Sequence, residues 1–409
     1  MPAPLRAVCP PLWCGLMPPL KSPASALAAF VPSAAVERIA KTSLRPSFAP
    51  IPGLISLAAG EPDFDTPLEI VEAAVAALHA GHTHYTDPEG DAQLRDAIAE
   101  VVAQTAGAAC TRNQILVTHG ASAGLAAAIA AIVNPGDRVV IPEPTYSLYA
   151  DLVQLAGGVP VFVALRPDFH LDLDALEPAL AGARLLVLCS PGNPTGVVYR
   201  ADEWAQLGEL VAHSPAYVLS DEAYHSLVYG GTPFVSGLQI DALRERLIYA
   251  QTFSKKYAMT GWRLGYLAGP APIVKAAGLI HRTFNGTNNA FVQRAGLTAL
   301  RDGSRNAHAW MEQFAARRAF ALERLRAIAG VSADPPEGGF YVFARYAAPI
   351  PSAELAARMI AGGVAVRAGR EYGPSGEGHF RISFATSIAN LAAGIGRISD
   401  VFATLPAGV

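Results

Sequence analysis

The sequence is poor in cysteine and in charged residues, and both shortages narrow what the protein can be. Only four cysteines occur in 409 residues, with no Cys-x-x-Cys pair among them. This spacing argues against a disulfide framework and a structural zinc site, so a reducing, cytoplasmic setting is expected. Charged residues make up 16% of the chain and the formal net charge is −3, which favours neither a nucleic-acid partner nor a membrane surface.

Long apolar runs are missing as well. No stretch of about eighteen consecutive apolar residues occurs, so no membrane-spanning helix is predicted. Residues 1–30 are rich in Pro and Ala, and Pro10, Pro11, Pro18 and Pro19 weaken their faint likeness to a secretory signal. We interpret this stretch as a disordered or atypical extension, or as the product of a start codon assigned too early.

Alternating strand and helix patterns fill the middle of the chain. They run from Gln114 to Ala268 and predict an α/β fold with a mostly parallel sheet and helices on both faces. The run Gly338–Phe343 opens a further strand-rich part, which predicts a smaller α+β domain. Because ligands of such sheets bind outside the carboxyl ends of the strands, polar residues at those ends are candidates for a site.

The most informative stretch is Thr252–Gly265, Thr-Phe-Ser-Lys-Lys-Tyr-Ala-Met-Thr-Gly-Trp-Arg-Leu-Gly. It places Lys255 after small residues and Arg263 further along. A lysine that does covalent chemistry must lose its proton near neutral pH, and the small residues let a flat ligand approach the backbone. The arginine offers a cationic fork that suits a phosphate. A surface Lys-Lys pair is the alternative interpretation.

A second candidate site lies where the predicted strand Gln114–Thr118 runs into a small-residue turn and an alanine-rich helix. Free N–H groups and the helix dipole both favour an anion at such a turn, with Ala121 and Ser122 as the donors. The turn is not Gly-x-Gly-x-x-Gly, and no acidic residue is placed for a ribose, so a dinucleotide is disfavoured.

Two further charged residues stand at strands. Asp221 follows the hydrophobic strand Tyr217–Leu219 and is either a functional carboxylate or a helix N-cap. Arg381 lies in the alternating strand Phe380–Phe384, and its guanidinium fits a carboxylate unless it simply faces solvent.

Together these motifs resemble the class I/II pyridoxal-phosphate (PLP) aminotransferases of fold type I, which are aspartate aminotransferase-like. Gly-Glu-Pro-Asp from Gly60, Asn-Pro-Thr-Gly from Asn193 and Asp-Glu-x-Tyr from Asp221 support the resemblance, which covers the chain from about Pro32 to its end. It implies a seven-stranded-type sheet and a smaller domain built from the N- and C-terminal segments. It also implies ping-pong transfer of an amino group from an L-amino acid to a 2-oxo acid, with a lyase, synthase or oxidase on the same site as the alternative.

The resemblance also implies a role for each site residue. Lys255 forms the Schiff base, Asp221 keeps the pyridine nitrogen protonated, and Tyr224 completes the catalytic set. The expected cofactor contacts are Tyr85, Ala121, Ser122, Tyr146, Asn193, Asp221, Tyr224, Thr252, Lys255 and Arg263. The expected substrate contacts are Gly60, Asn193 and Arg381. No metal site is expected, because His82 and His84 stand in a loop without suitable partners.

Domain limits and assembly are expected on the same basis. Residues 31–59 should pack with the small domain, 60–295 should form the large PLP-binding domain, and 296–409 the small C-terminal domain. Tyr85 should reach the phosphate of a neighbouring subunit, which implies a homodimer with shared sites. A cofactor-sensing regulator is disfavoured because residues 1–30 cannot supply a DNA-binding domain. The identity of the amino donor stays open. It also stays open whether Arg282 binds a distal carboxylate of the substrate.

Overall fold

A computed structural model describes residues 30–43, 53–302 and 307–405. The interpretation of residues 1–29 therefore falls outside the described part of the chain. The helices are α1 Ala34–Thr42, α2 Leu68–His79, α3 Ala92–Ala106, α4 Gly120–Ile132, α5 Leu148–Leu155, α6 Leu173–Leu180, α7 Ala201–Ala212, α8 Phe253–Lys256, α9 Ala271–Asn285, α10 Ala290–Asp302, α11 Ala307–Arg326, α12 Ser352–Ala361 and α13 Ile388–Ala403. The strands are β1 Ile55–Ser56, β2 Ile115–Thr118, β3 Arg138–Glu143, β4 Val159–Ala164, β5 Ala183–Cys189, β6 Tyr217–Asp221, β7 Leu247–Thr252, β8 Gly265–Ala268, β9 Val331–Ser332, β10 Tyr341–Tyr346, β11 Val364–Ala365, β12 Arg367–Ala368 and β13 His379–Ser383.

A seven-stranded sheet organises the larger part of the molecule, in the order β2-β8-β7-β6-β5-β3-β4. All neighbouring pairs are parallel except those of β8, which runs antiparallel to both β2 and β7. Strands such as β6 and β7 are almost wholly buried, as expected when helices cover both faces of a parallel sheet. The predicted mostly parallel α/β sheet is confirmed.

Side chains on the two faces of this sheet belong to different apolar clusters. In β2, Leu116 joins the cluster beneath α4 and α9, whereas Ile115 and Val117 join the one beneath α2, α3 and α10. The alternation follows from the two-residue period of a strand. Burial on both faces holds the strand ends, where the candidate site residues lie, in a rigid frame.

The smaller domain combines segments that are far apart in sequence. Its four-stranded sheet has the order β12-β13-β10-β9, and β1 pairs in parallel with β11 through Ile55 and Val364. Leu57 shares a buried cluster with Phe340 and Phe380. Within the predicted segment 31–59, β1 thus packs with the smaller domain, whereas α1 contacts α5. The limits 60–295 and 296–409 stay predictions.

One helix boundary lies later than the start of its predicted break. The sequence predicts that the segment His281–Asn289 breaks the helix starting at Ala271, and α9 continues to Asn285 and ends within that segment. His281 is buried on the same helical face as Val274 and Ala277, so the buried stripe reaches this residue, and the last four residues of α9 are exposed. The helix ends where Gly286 adopts a positive φ of 70°.

The described residues also allow two negative findings. Among them, no helix is both long enough and apolar enough to cross a membrane. Nor do three or more His, Cys, Asp or Glu side chains gather there in a way that could hold a metal ion.

Candidate active site

A cavity of about 270 Å³ opens at the carboxyl ends of the parallel strands, between the sheet and the smaller domain. It brings together eleven of the twelve predicted site residues: Gly60, Ala121, Ser122, Tyr146, Asn193, Asp221, Tyr224, Thr252, Lys255, Arg263 and Arg381. Strand topology explains the convergence. Asp221 ends β6, Thr252 ends β7, and Asn193 follows the end of β5, so residues distant in sequence meet at one edge of the sheet.

Lys255 lies in the short helix α8, directly after β7. Its Nζ donates a hydrogen bond to the carbonyl oxygen of Gly60 at 2.5 Å. Burial lowers the pKa of this amine to about 8, with Arg263 acting in the same direction against the opposing carboxylates. A substantial fraction of the amine is therefore neutral near pH 8, as a nucleophile requires.

Asp221 is a buried carboxylate with two hydrogen-bond donors. Its Oδ2 accepts from the hydroxyl of Tyr149 at 2.8 Å, and its Oδ1 accepts from the backbone N–H of Ala223 at 3.2 Å. Burial raises its pKa, while Tyr149, Ala223 and Lys255 oppose the rise. The chain after Asp221 forms a turn, so the alternative role as a helix N-cap is wrong.

The sequence did not single out Tyr149, although it follows Tyr146 by three residues. Burial raises the pKa of its hydroxyl well above the ordinary value, and the neighbouring carboxylate of Asp221 adds to the rise. The hydroxyl therefore stays protonated and donates to Asp221. The two tyrosine rings meet edge to face with centroids 5.6 Å apart. The three-residue spacing from Tyr146 to Tyr149, at the start of α5, was the available signal, but it does not show which group the hydroxyl contacts.

One end of the cavity collects donors suited to an anion. Ala121 and Ser122 lie in the first turn of α4, after Gly120 with a φ of 73°. A Cβ added at Gly120 would lie 2.7 Å from the guanidinium of Arg263, so the arginine packs directly against this turn. The hydroxyl of Thr252 donates to that of Ser254 at 2.9 Å, and both residues line the cavity. Helix N–H groups, hydroxyls and a guanidinium together fit a phosphate.

Arg381 contributes a second cationic end to the lining of the cavity. Its Nη1 donates to Asn193 Oδ1 at 2.8 Å, and its Nη2 donates to the carbonyl oxygen of Ala58 at 2.7 Å. The Nε is buried and has no hydrogen-bond partner among the described residues. Both of these acceptors are uncharged, so a buried guanidinium in this place is suited to an incoming carboxylate.

Two tyrosines join this end to the rest of the site. The hydroxyls of Tyr224 and Tyr341 lie 2.9 Å apart, and the guanidinium of Arg381 stands 4.0 Å from the centroid of the Tyr341 ring. Burial raises the pKa of Tyr224 well above its ordinary value. A Cβ added at Gly60 would lie 2.6 Å from the Tyr341 hydroxyl, which explains why this position is a glycine. Sequence reasoning used the segment of Tyr341 only as the start of the smaller domain and missed its place in the site.

Comparison with known proteins decides the family. The model of the family described as aminotransferase class I and II matches residues 52–398. The chain belongs to this family.

This aminotransferase has relatives with several stated activities. It is 36% identical over 371 residues to the bifunctional aspartate aminotransferase and glutamate/aspartate-prephenate aminotransferase of Petunia hybrida, covering 86% of this chain and 77% of that protein. It is 37% identical over 365 residues to a putative aminotransferase of Bacillus subtilis, covering 87% of this chain and 94% of that protein. Its relatives favour transamination over the lyase, synthase or oxidase alternative.

Solved structures support the same assignment. The aspartate aminotransferase of Rhizobium meliloti superposes with a TM-score of 0.82 at 32% identity, covering 96% of this chain and all of that one. The aromatic aminotransferase of Pyrococcus horikoshii superposes with a TM-score of 0.84 at 33% identity, covering 90% and 98% of the two chains. The resemblance and the fold predicted from the sequence are confirmed, and the enzyme is a PLP-dependent transaminase.

Observed residues of this aminotransferase fit the cofactor. A partly neutral lysine amine, a buried carboxylate and a phosphate-suited cluster lie in one cavity. These are the groups needed for an aldehyde, a protonated ring nitrogen and a phosphate. Tyr146 lines the same cavity and offers an aromatic face.

Tyr85 is the predicted cofactor contact that the cavity does not include. Its side chain is 95% exposed and lies beside a separate depression lined by His82 and Thr287. The contact was predicted for the site of a partner subunit, so the role of Tyr85 stays a prediction.

Proposed function

We propose that Lys255 carries the chemistry of this aminotransferase, with Asp221, Tyr224 and Arg381 setting the charge around the reacting atoms. When bound, PLP supplies an aldehyde carbon for the amine of Lys255 and a ring that withdraws electrons from the substrate. With PLP bound, the neutral Nζ of Lys255 would accept the proton that leaves the Cα of the amino acid and would hold it for return to the bound substrate. The lowered pKa of Lys255 supports this role, because the amine must be neutral to accept that proton.

Asp221 is proposed to keep a positive charge on the ring nitrogen. Its carboxylate is buried and oriented by Tyr149 and the N–H of Ala223, so it is fixed in position before any ligand arrives. Preorganised charge of this kind costs no rearrangement during the reaction. A neutral residue at this position is expected to remove most of the electron withdrawal by the ring.

Arg381 is proposed to bind the α-carboxylate of the amino acid, while Asn193 and Tyr224 bind the phenolic oxygen of the cofactor. Asn193 Oδ1 accepts a hydrogen bond from Arg381. The amide nitrogen of Asn193 is therefore the group of this side chain that can donate to the cofactor. The same bond couples the carboxylate site to the cofactor site. Gly60 is proposed to lie against the substrate, and its carbonyl oxygen accepts a hydrogen bond from Lys255.

The single observation that carries the proposal is the meeting of Lys255 and Asp221 in the cavity that also contains Arg381. Purified enzyme loaded with PLP is screened with L-amino acid donors and 2-oxo acid acceptors, and product amino acids are measured. Lys255→Ala should abolish transfer, whereas Lys256→Ala, which removes the adjacent lysine, should retain it. If no donor supports transfer that depends on the oxo acid, the proposed function is wrong.

We further propose that the enzyme is a cytoplasmic homodimer with shared sites. The exposed side chains of Tyr85 and Phe284, 95% and 80% accessible, support a contact surface on this part of the chain. Mass measurement by light scattering should give twice the chain mass of 42.7 kDa. Mixing inactive Lys255→Ala with inactive Tyr85→Ala subunits should restore partial activity if each site uses residues of both chains. A monomer with full activity contradicts the proposal, and cell fractionation tests the location.

A further inference from the structure

A second arginine, Arg367, lines the same cavity as Arg381. It begins β12 and is paired directly with Arg381 of the antiparallel neighbour β13. Directly paired residues of antiparallel strands point to one face of the sheet, with Cβ atoms about 4.5–5.5 Å apart. The side chain of Arg367 is 20% accessible, whereas Arg381 as a residue is only 5% exposed, so Arg367 is the more open of the two.

Glu371 is the carboxylate that faces this pair. Its Oε2 lies 2.7 Å from Nε of Arg367, and its Oε1 accepts from the backbone N–H of Ala368 at 3.3 Å. Burial raises the pKa of Glu371, and the two arginines oppose that rise. Within the described part of the chain, these contacts set two guanidinium groups against the one carboxylate of Glu371.

We propose that Arg367 is a specificity-determining residue that binds the second carboxylate of a dicarboxylic amino acid or oxo acid. The inference rests on the proposed function, because Arg381 must hold the α-carboxylate of the same molecule. Because the two arginines are directly paired on one face of the sheet and line the same cavity, they can meet the two carboxylates of one molecule. Glu371 competes with that carboxylate for Arg367 and thereby sets how strongly acidic substrates are preferred.

Arg282, the sequence-based candidate for a distal carboxylate, is placed differently. It is exposed on α9 and does not line the cavity of its own chain. Among the described residues that line the cavity, Arg367 is the arginine paired directly with Arg381. The competing explanation for Arg367 is structural, namely that its ion pair with Glu371 only fastens the turn after β12.

The test compares Arg367→Gln with Arg370→Gln, a matched loss of an exposed arginine that lies outside the cavity. In the PLP-loaded enzyme, kcat/KM is measured for aspartate and glutamate and for alanine and phenylalanine. Arg367→Gln should lower kcat/KM about 10- to 100-fold for the two acidic donors, as expected for loss of a charge-assisted bond, and less than threefold for the others. Arg370→Gln should leave both groups within threefold of the unchanged enzyme.

Calorimetric titration with succinate and butyrate supplies a readout that does not depend on turnover. These probes differ in one carboxylate, and each is titrated into the coenzyme-free and the PLP-loaded protein. The unchanged protein should bind succinate at least tenfold more tightly than butyrate, and Arg367→Gln should bind the two equally. Glu371→Gln should strengthen succinate binding, because the competing anion is gone.

The outcomes separate the inference from the proposed function. Equal losses for all donors in Arg367→Gln, or weaker succinate binding in Glu371→Gln, would make the ion pair structural and overturn the inference. If Arg367→Gln does not fold, the Glu371→Gln titration decides alone. Failure of transamination with every donor in the unchanged enzyme would instead refute the proposed function.

Discussion

Replacing Tyr149 by phenylalanine tests how the protein controls the charge on Asp221. The substitution removes a hydroxyl that donates to the buried carboxylate at 2.8 Å and changes little else in volume. A hydrogen bond to a charged group is worth about 1.5–3 kcal/mol, which corresponds to roughly one to two pKa units. Burial already raises the pKa of Asp221, and Tyr149 is the strongest group opposing that rise.

The expected result is an upward shift of the acid limb of kcat against pH by about one to two units in Tyr149→Phe. The sign follows from linkage. A carboxyl group whose pKa is raised in the folded state destabilises folding once the unfolded chain ionises, and a further rise increases that cost at neutral pH. The coenzyme-free variant should therefore lose stability by about 1–3 kcal/mol at pH 7 and less at pH 5.

The assay pairs steady-state pH profiles of the PLP-loaded enzyme with chemical denaturation of the coenzyme-free protein at both pH values. Tyr199→Phe is the control, because it deletes another buried hydroxyl that lies outside the cavity. An acid limb that does not move in Tyr149→Phe refutes the reasoning, as does a shift of the same size in Tyr199→Phe.

Three further predictions follow from single contacts. Gly60→Ala should lower kcat at least tenfold and stability by about 1–3 kcal/mol, because its Cβ would meet the Tyr341 hydroxyl at 2.6 Å, whereas Gly261→Ala, with open space around it, should change neither. Arg381→Lys should raise KM for amino acids at least tenfold, since the two-point contact of the guanidinium with a carboxylate is lost, and kinetics with one donor suffice to check this. Lys255 has a pKa of about 8 in the folded protein against an ordinary 10.5. Its contribution to the free energy of unfolding of the coenzyme-free protein should therefore increase as the pH rises from about 8 to about 10.5, and denaturation curves of Lys255→Met should lack this increase.

Much of the fold was predictable because the strand and helix patterns are local. The polar residues at strand ends were predictable too, since the topology of a parallel sheet brings those ends together wherever they fall in sequence. Asp221, Asn193 and Lys255 are examples. The family motifs assigned a role to each of these residues, whereas the geometry alone shows only which kinds of group each residue could bind.

The missed residues owe their positions to packing between distant segments. Tyr149 reaches Asp221 from 72 residues away, and Tyr341 reaches Tyr224 from 117 residues away. Arg367 lies in a strand of two residues, which is too short to leave a periodic pattern. The burial of His281 was missed for a similar reason, because its partner His119, at 3.3 Å, lies 162 residues away, directly before α4.

The most direct measurement of the central claim is peptide mapping after borohydride reduction of the PLP-loaded enzyme. The account predicts that the coenzyme mass is fixed to the peptide containing Lys255, that the label stays on that residue in Lys256→Ala, and that it is absent in Lys255→Ala. Unlabelled protein, or a label on Lys256 or another lysine, would contradict the account.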